Sequence, residues 1–116
     1  MAERPIRVLF QASYGSTYRR LSPAELKSAQ DTEGSLARKW AEAGVRYIGY
    51  FGVPCGADAD EYSHTTILEL KDFSQAQQMS DDIWQSDWAK YVDKWSLTIG
   101  WGNSDLDDFW RSIGAF

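Results

Sequence analysis

The period of the apolar residues switches repeatedly between residues 6 and 101, and that succession restricts the fold more than any single motif. In residues 6–14 (IRVLFQASY), Ile6, Val8, Phe10, Ala12 and Tyr14 alternate with Arg7, Leu9, Gln11 and Ser13, the pattern of a β-strand with one apolar and one mixed face. Gly15, Ser16 and Thr17 end it. Ser22-Pro23-Ala24-Glu25 then supplies an N-cap serine, a proline suited to the first helical position and a capping glutamate, which starts a helix at Pro23. Leu26, Ala29, Leu36, Trp40 and Ala43 continue at helical spacing to a stop at Gly44, with a kink or a second short helix expected near Gly34. Residues 45–53 (VRYIGYFGV) are aromatic and β-branched. A turn with Pro54, Cys55, Gly56, Asp58, Asp60 and Glu61 follows, and residues 63–71 (SHTTILELK) complete a predicted hairpin. Phe73, Ala76, Met79, Ile83, Trp84, Trp88, Tyr91 and Val92 form the stripe of a second amphipathic helix, and residues 95–101 (WSLTIGW) alternate again. The tail, residues 102–116, carries Asp105, Asp107 and Asp108 before Phe109, Trp110 and Ile113; it is expected to form a short helix packed on the body or on a neighbour.

Strand, helix, strand, strand, helix, strand is the split-βαβ plan of an α+β domain. It describes a ferredoxin-like βαββαβ chain in which two helices cover one face of a four-stranded antiparallel sheet. The 116 residues hold one such domain. By periodicity the uncovered face carries Leu9, Gln11, Ile48, Tyr50, Ile67 and Glu69, too apolar to meet water as a large patch, so a second copy is expected to cover it.

With 43% hydrophobic and 25% charged residues, the composition is that of a folded globular chain. A formal net charge of −5 argues against a phosphate-binding surface, so nucleic acid is not an expected partner. No run of about 18 apolar residues suits a membrane span, and no secretory apolar region follows Met1, so the expected location is the cytoplasm. One cysteine, Cys55, and one histidine, His64, exclude a disulfide framework, a Cys-x-x-Cys site and a histidine-cluster metal centre. Glycines such as Gly49 and Gly100 show no phosphate-loop spacing and read instead as bulges or points of sheet curvature.

The split-βαβ plan brings the ends of the first and second strands and the starts of the third and fourth to one edge of the sheet. There the strand period assigns Tyr14, Phe51, His64 and Trp95 to the helix-covered face. Trp84 and Trp88 from the second helix, with Trp40 from the first, are placed to roof this space, although helical packing alone also explains Trp40 and Trp84. Arg19 lies at the same edge, either meeting an anionic substrate or serving as a solvated or inter-subunit charge. An imidazole exchanges protons near neutrality, and a tyrosine hydroxyl beside it, here Tyr14, stabilises an enolate or phenolate. Proton abstraction from an acidic carbon or a phenol therefore needs no metal and no bound cofactor. The plainer role for His64 is a strand-end histidine hydrogen-bonded to Asp60 or Glu61, and Cys55, with no second histidine to activate it, reads as an inert thiol.

Over residues 6–101 this order, with SHTTILEL leading into a helix that ends WQSDWAKYVDKW and then a final strand, resembles the dimeric α+β barrel superfamily. That superfamily includes cofactor-independent monooxygenases of antibiotic biosynthesis, EthD-like proteins, muconolactone isomerases, stress-responsive barrel proteins and the plant olivetolic acid cyclase. The resemblance implies a homodimer whose two sheets close a barrel, with a small-molecule cavity in each protomer. Ser63-His64-Thr65-Thr66-Ile67 is similar to the Thr-His-Ile segment in which cyclase-like members place a pocket histidine on the third strand. Those members carry further histidines in the second helix, where this chain has Trp84, Asp87 and Trp88, so their acid/base pairing does not carry over. Three functions are compatible with these residues. One is a cofactor-free cyclase, isomerase or monooxygenase acting on a hydrophobic, aromatic or polyketide-like molecule, with His64 and Tyr14 catalytic and Phe51, Trp84, Trp88, Trp95 and Arg19 binding substrate. The second is a ligand-binding or structural dimer of the same fold. The third is a haem enzyme with His64 as axial ligand.

Overall fold

The computed structural model describes residues 4–52 and 62–114. Along it run β1 (Ile6–Ser13), a one-turn α1 (Ser16–Arg19), α2 (Pro23–Glu42), β2 (Arg46–Gly52), β3 (His64–Leu70), α3 (Phe73–Gln85), a 3₁₀ turn (Trp88–Tyr91), β4 (Lys94–Trp101) and α4 (Ser104–Ser112). The strands form one antiparallel sheet in the order β2-β3-β1-β4, the ferredoxin-like split-βαβ arrangement expected from the periodicity. Among the described residues, no helix is long and apolar enough to cross a membrane.

The pairing of β1 sets the two faces. Val8 lies opposite Leu68 and Ile99, and Ala12 opposite His64 and Trp95, so these residues share one face of the sheet. That face packs under the helices, where Val8, Leu68 and Leu70 join Leu36 and Trp40 of α2, Met79 and Ile83 of α3, and Trp88 in one core. Truncating a fully buried member such as Ile83 to alanine costs about 2–5 kcal/mol, because a close-packed interior relaxes only partly around the cavity.

Local chemistry fixes the ends of α2. Ser22 Oγ accepts from the Glu25 N–H while Glu25 Oε1 accepts from the Ser22 N–H, the capping box read from the sequence. At the other end Gly44 adopts φ +93°, which lets its N–H reach the Ala41 carbonyl and the Val45 N–H reach the Trp40 carbonyl. The kink expected at Gly34 is not there: α2 runs through it without interruption, and the Arg38 guanidinium occupies the space where a side chain would lie.

The second helix is shorter than its apolar stripe suggests. Ser86 turns extended, its hydroxyl donating to the Ile83 carbonyl at 2.8 Å and accepting from the Trp88 N–H at 3.2 Å, so α3 stops at Gln85 and the chain restarts in the 3₁₀ turn. This break separates the two tryptophans. Trp88 turns into the core at 1% exposure, whereas Trp84, expected to pack, is 71% exposed.

A second departure lies in β2. Tyr47 pairs with Leu68 and Gly49 with Ile67, so Ile48 is an extra residue in a β-bulge. Beyond it the expected faces are reversed: Tyr50, opposite Thr66, joins the helix-covered face, and Phe51, opposite Thr65, moves to the open face. The open face thus carries Leu9, Gln11, Phe51, Ile67 and Thr98. The tail forms α4, capped by Asn103 Oδ1 accepting from the Leu106 N–H and tied to β1 by Arg7 Nη2 donating to Asp107 Oδ2 at 2.7 Å. Its Leu106, Phe109, Trp110 and Ile113 remain exposed. Val53, Pro54, Cys55, Gly56, Asp58, Asp60 and Glu61 lie outside the described residues, and with them the hydrogen bond expected from His64 to Asp60 or Glu61.

Candidate functional site

The site is assembled where β1 ends and β3 begins. Ser63 Oγ accepts from the Tyr14 N–H at 3.2 Å and donates to the Ala12 carbonyl at 3.3 Å, which holds the two strand ends together. The chain then turns at Gly15, where a Cβ would fall 2.2 Å from Asp93 Oδ2. That carboxylate accepts from the Ser16 and Thr17 N–H groups, both at 3.1 Å, pinning α1 to the start of β4. Hydrogen bonds from the Thr17 side chain and backbone, with that from Ser16, hold the Asp93 carboxyl below its ordinary value despite partial desolvation.

His64 sits between two tyrosines. The Tyr14 ring meets the imidazole edge to face with centroids 4.6 Å apart, and the Tyr50 ring lies nearly parallel to it at 5.8 Å. The Tyr50 hydroxyl and His64 Nδ1 share a hydrogen bond, which orients the ring and leaves Nε2 as the nitrogen for a ligand. The Tyr14 hydroxyl instead donates to Glu33 Oε1 at 3.2 Å. Burial first, and then the Glu33 charge, push the Tyr14 phenol well above the ordinary tyrosine value, so it stays protonated at neutral pH.

These groups line a cavity of about 500 Å³, together with Tyr18 and Arg19 from the α1 segment. Its size lies in the range of about 300–1,000 Å³ usual for small-molecule sites. A second, more apolar cavity of about 330 Å³ runs beside it along α2, walled by Leu36, Trp40, Tyr47, Leu68 and Trp88. Phe10, Glu33 and Thr66 line both. Among the described residues, no group of three or more His, Cys, Asp and Glu side chains converges as a metal site requires.

Of the residues singled out in the sequence, Tyr14, His64 and Arg19 line the larger cavity and Trp88 the smaller. Phe51 faces away because of the bulge. Trp84 and Trp95 pack on each other at the β4 edge, with centroids 5.3 Å apart, and line neither of the two. Periodicity missed Tyr50 and Glu33. For Tyr50 the usable signal was Gly49, since a glycine inside a strand marks a bulge that reverses every later face. Glu33 is an exposed residue of α2 that only the tertiary approach to Tyr14 brings to the site.

No protein-family model matches the chain, and no curated protein matches it. Among solved structures, it is similar to a dimeric ferredoxin-like protein of unknown function from Thermobifida fusca, with 11% identity and a TM-score of 0.42, over 84% of this chain and 90% of that one. The fold of this chain is established by its own strand order.

Proposed function

We propose that the chain is a small-molecule enzyme that moves a proton on a largely apolar, aromatic or phenolic substrate, with His64 as the acid/base, and that it works as a homodimer. The supporting observation is the single imidazole in the wall of a cavity of about 500 Å³, oriented through Nδ1 by Tyr50 and held against the Tyr14 ring. When the Tyr50 oxygen accepts from Nδ1–H, Nε2 keeps a lone pair and takes a proton from an acidic C–H or a phenolic O–H. The imidazolium stays aligned by the same bond and returns the proton to the product. Arg19, on the same wall, favours the enolate or phenolate formed in between. Tyr14, with its hydroxyl committed to Glu33, acts as a positioning residue through its ring. Cyclisation and isomerisation both begin with this abstraction, and no step of it calls on a cofactor. Leu9, Phe51 and Ile67 give the open sheet face an apolar patch that a second copy covers about a two-fold axis.

Deuterium incorporation at the benzylic carbon of phenylacetone in D₂O, followed by NMR, tests the chemistry. The wild-type protein is expected to accelerate exchange by about 10²-fold or more over buffer, with the gain lost in His64→Gln and reduced in Tyr50→Phe. Binding of phenylacetone without exchange above the buffer rate would assign the cavity to ligand binding and remove the catalytic role of His64.

A further inference from the structure

We infer that the ligand of the larger cavity carries a protonated amine as well as its phenol or enolisable group, with Glu33 as the carboxylate that receives the amine. The inference rests on the proposed role of His64 and adds to it the charge of the substrate. Tyr14 links the two ends of the site: its ring meets His64 with centroids 4.6 Å apart, and its hydroxyl donates to Glu33 Oε1 at 3.2 Å. His64 and Glu33 both line the cavity, separated by no more than this one tyrosine side chain and its two contacts. A phenol with a short aminoalkyl chain, lying alongside Tyr14, has the length to reach both.

The charges of the wall fit such a molecule. Glu33 accepts from Tyr14 but, among the described residues, pairs with no cation, and Arg19 on the same cavity pairs with no anion. Opposite charges that line one cavity without meeting each other are both left for a ligand. The rings of Phe10, Tyr14, Tyr18 and Tyr50 make up much of the remaining wall, and aromatic faces attract an ammonium and repel a carboxylate. The net charge of −5 also draws cations rather than anions to the mouth. The proposed proton transfer completes the match. As the phenolic O–H bond breaks and the proton moves to His64 Nε2, the electron pair stays on oxygen, so the bound cation becomes a zwitterion whose two charges complement Arg19 and Glu33.

Calorimetric titration with tyramine, with 4-ethylphenol as the same molecule without its amine, and with 3-(4-hydroxyphenyl)propionate as an anion tests this. The one imidazole NMR signal reports independently whether each ligand reaches the site. Tyramine is expected to bind about fivefold more tightly than 4-ethylphenol and more tightly than the anion, and to move the His64 signal. Glu33→Gln keeps an oxygen for the Tyr14 hydroxyl and removes the charge, so the preference for tyramine over 4-ethylphenol is expected to fall to about twofold, the share left to the rings. Should that variant not fold, the wild-type preference is expected to shrink as sodium chloride rises from about 0.02 to about 0.5 M, because Glu33 is exposed to screening. Equal affinity for tyramine and 4-ethylphenol, with both moving His64, would overturn the inference and leave the proposed chemistry standing. A preference for tyramine that neither Glu33→Gln nor salt reduces, or tighter binding of the anion, would also overturn it. Tyramine that fails to bind, or binds with His64 unmoved, would overturn it as well, with the exchange of phenylacetone remaining the separate test of the chemistry.

Discussion

Asp82 offers a test of how the wall of the site is held. Its side chain is 2% exposed, on the face of α3 turned to α2, and it accepts from Trp40 Nε1 at 3.0 Å, Lys39 Nζ at 2.6 Å and Gln78 Nε2 at 2.9 Å. In Asp82→Ala the buried Trp40 N–H is left without its acceptor, at about 1–3 kcal/mol. The Lys39 side chain is 59% exposed, so its bond adds under about 1 kcal/mol. The expected loss is therefore about 2–3 kcal/mol, a fall in Tm of roughly 10 °C for a chain of this size. Burial by itself raises the carboxyl's pKa, but the hydrogen bonds from Lys39, Gln78 and Trp40 together outweigh it and hold the group below its ordinary value. A carboxyl lowered in the folded state contributes stability above its unfolded value and loses it as pH falls through the folded one. Paired urea melts of wild type and Asp82→Ala should accordingly differ most at neutral pH, with the difference narrowing below about pH 4 as the charge-dependent part is lost while the orphaned Trp40 N–H still costs the variant. Superimposable melts at pH 7, or a difference that persists undiminished in acid, would refute this reasoning.

The raised Tyr14 pKa means that Tyr14→Phe should remove a component that titrates above the ordinary tyrosine range in the alkaline ultraviolet titration at 295 nm. Because the folded value lies above the unfolded one, the stability Tyr14 contributes is present below the ordinary tyrosine range and should be lost as the pH climbs above it. On the open face, Ile67→Glu should convert a dimer to a folded monomer in light scattering, with the cavity side of the sheet unaffected; a wild-type monomer would refute the dimer outright. Arg7→Ala removes the tie to Asp107, so amide exchange should rise across α4 (Ser104–Ser112) while β1 and β3 keep their protection.

The parts of the fold that were legible in the sequence are those decided locally. Ser22, Pro23 and Glu25 carry their cap in adjacent residues, Gly44 carries the left-handed turn, and the alternation in β1 places Val8, Phe10, Ala12 and Tyr14 on one face without outside help. Likewise the shared face of His64 and Trp95 follows from the unbroken periods of their strands, and the pairing of both with Ala12 agrees with it. Where a single residue interrupts the period, the later assignments change together. One inserted residue at Ile48 exchanges the faces of Tyr50 and Phe51, and one serine hydroxyl at Ser86 sends Trp88 inward while Trp84 stays in solvent. Glu33 and Asp82 carry no local signal of their roles, since each acts on a residue that only the tertiary fold brings near: Tyr14 for one, Trp40 and Lys39 for the other.

The single histidine makes the most direct measurement simple. The imidazole ¹H–¹³C signals of His64 should be recorded as 4-methylphenol is added to saturation, in wild type and in Tyr50→Phe. A saturable displacement in wild type that tracks the calorimetric binding curve is expected, together with a changed starting position in Tyr50→Phe, where Nδ1 has lost its partner. A His64 signal that stays in place while the phenol binds, and that is indifferent to the Tyr50 hydroxyl, would contradict the assignment of the acid/base to this cavity.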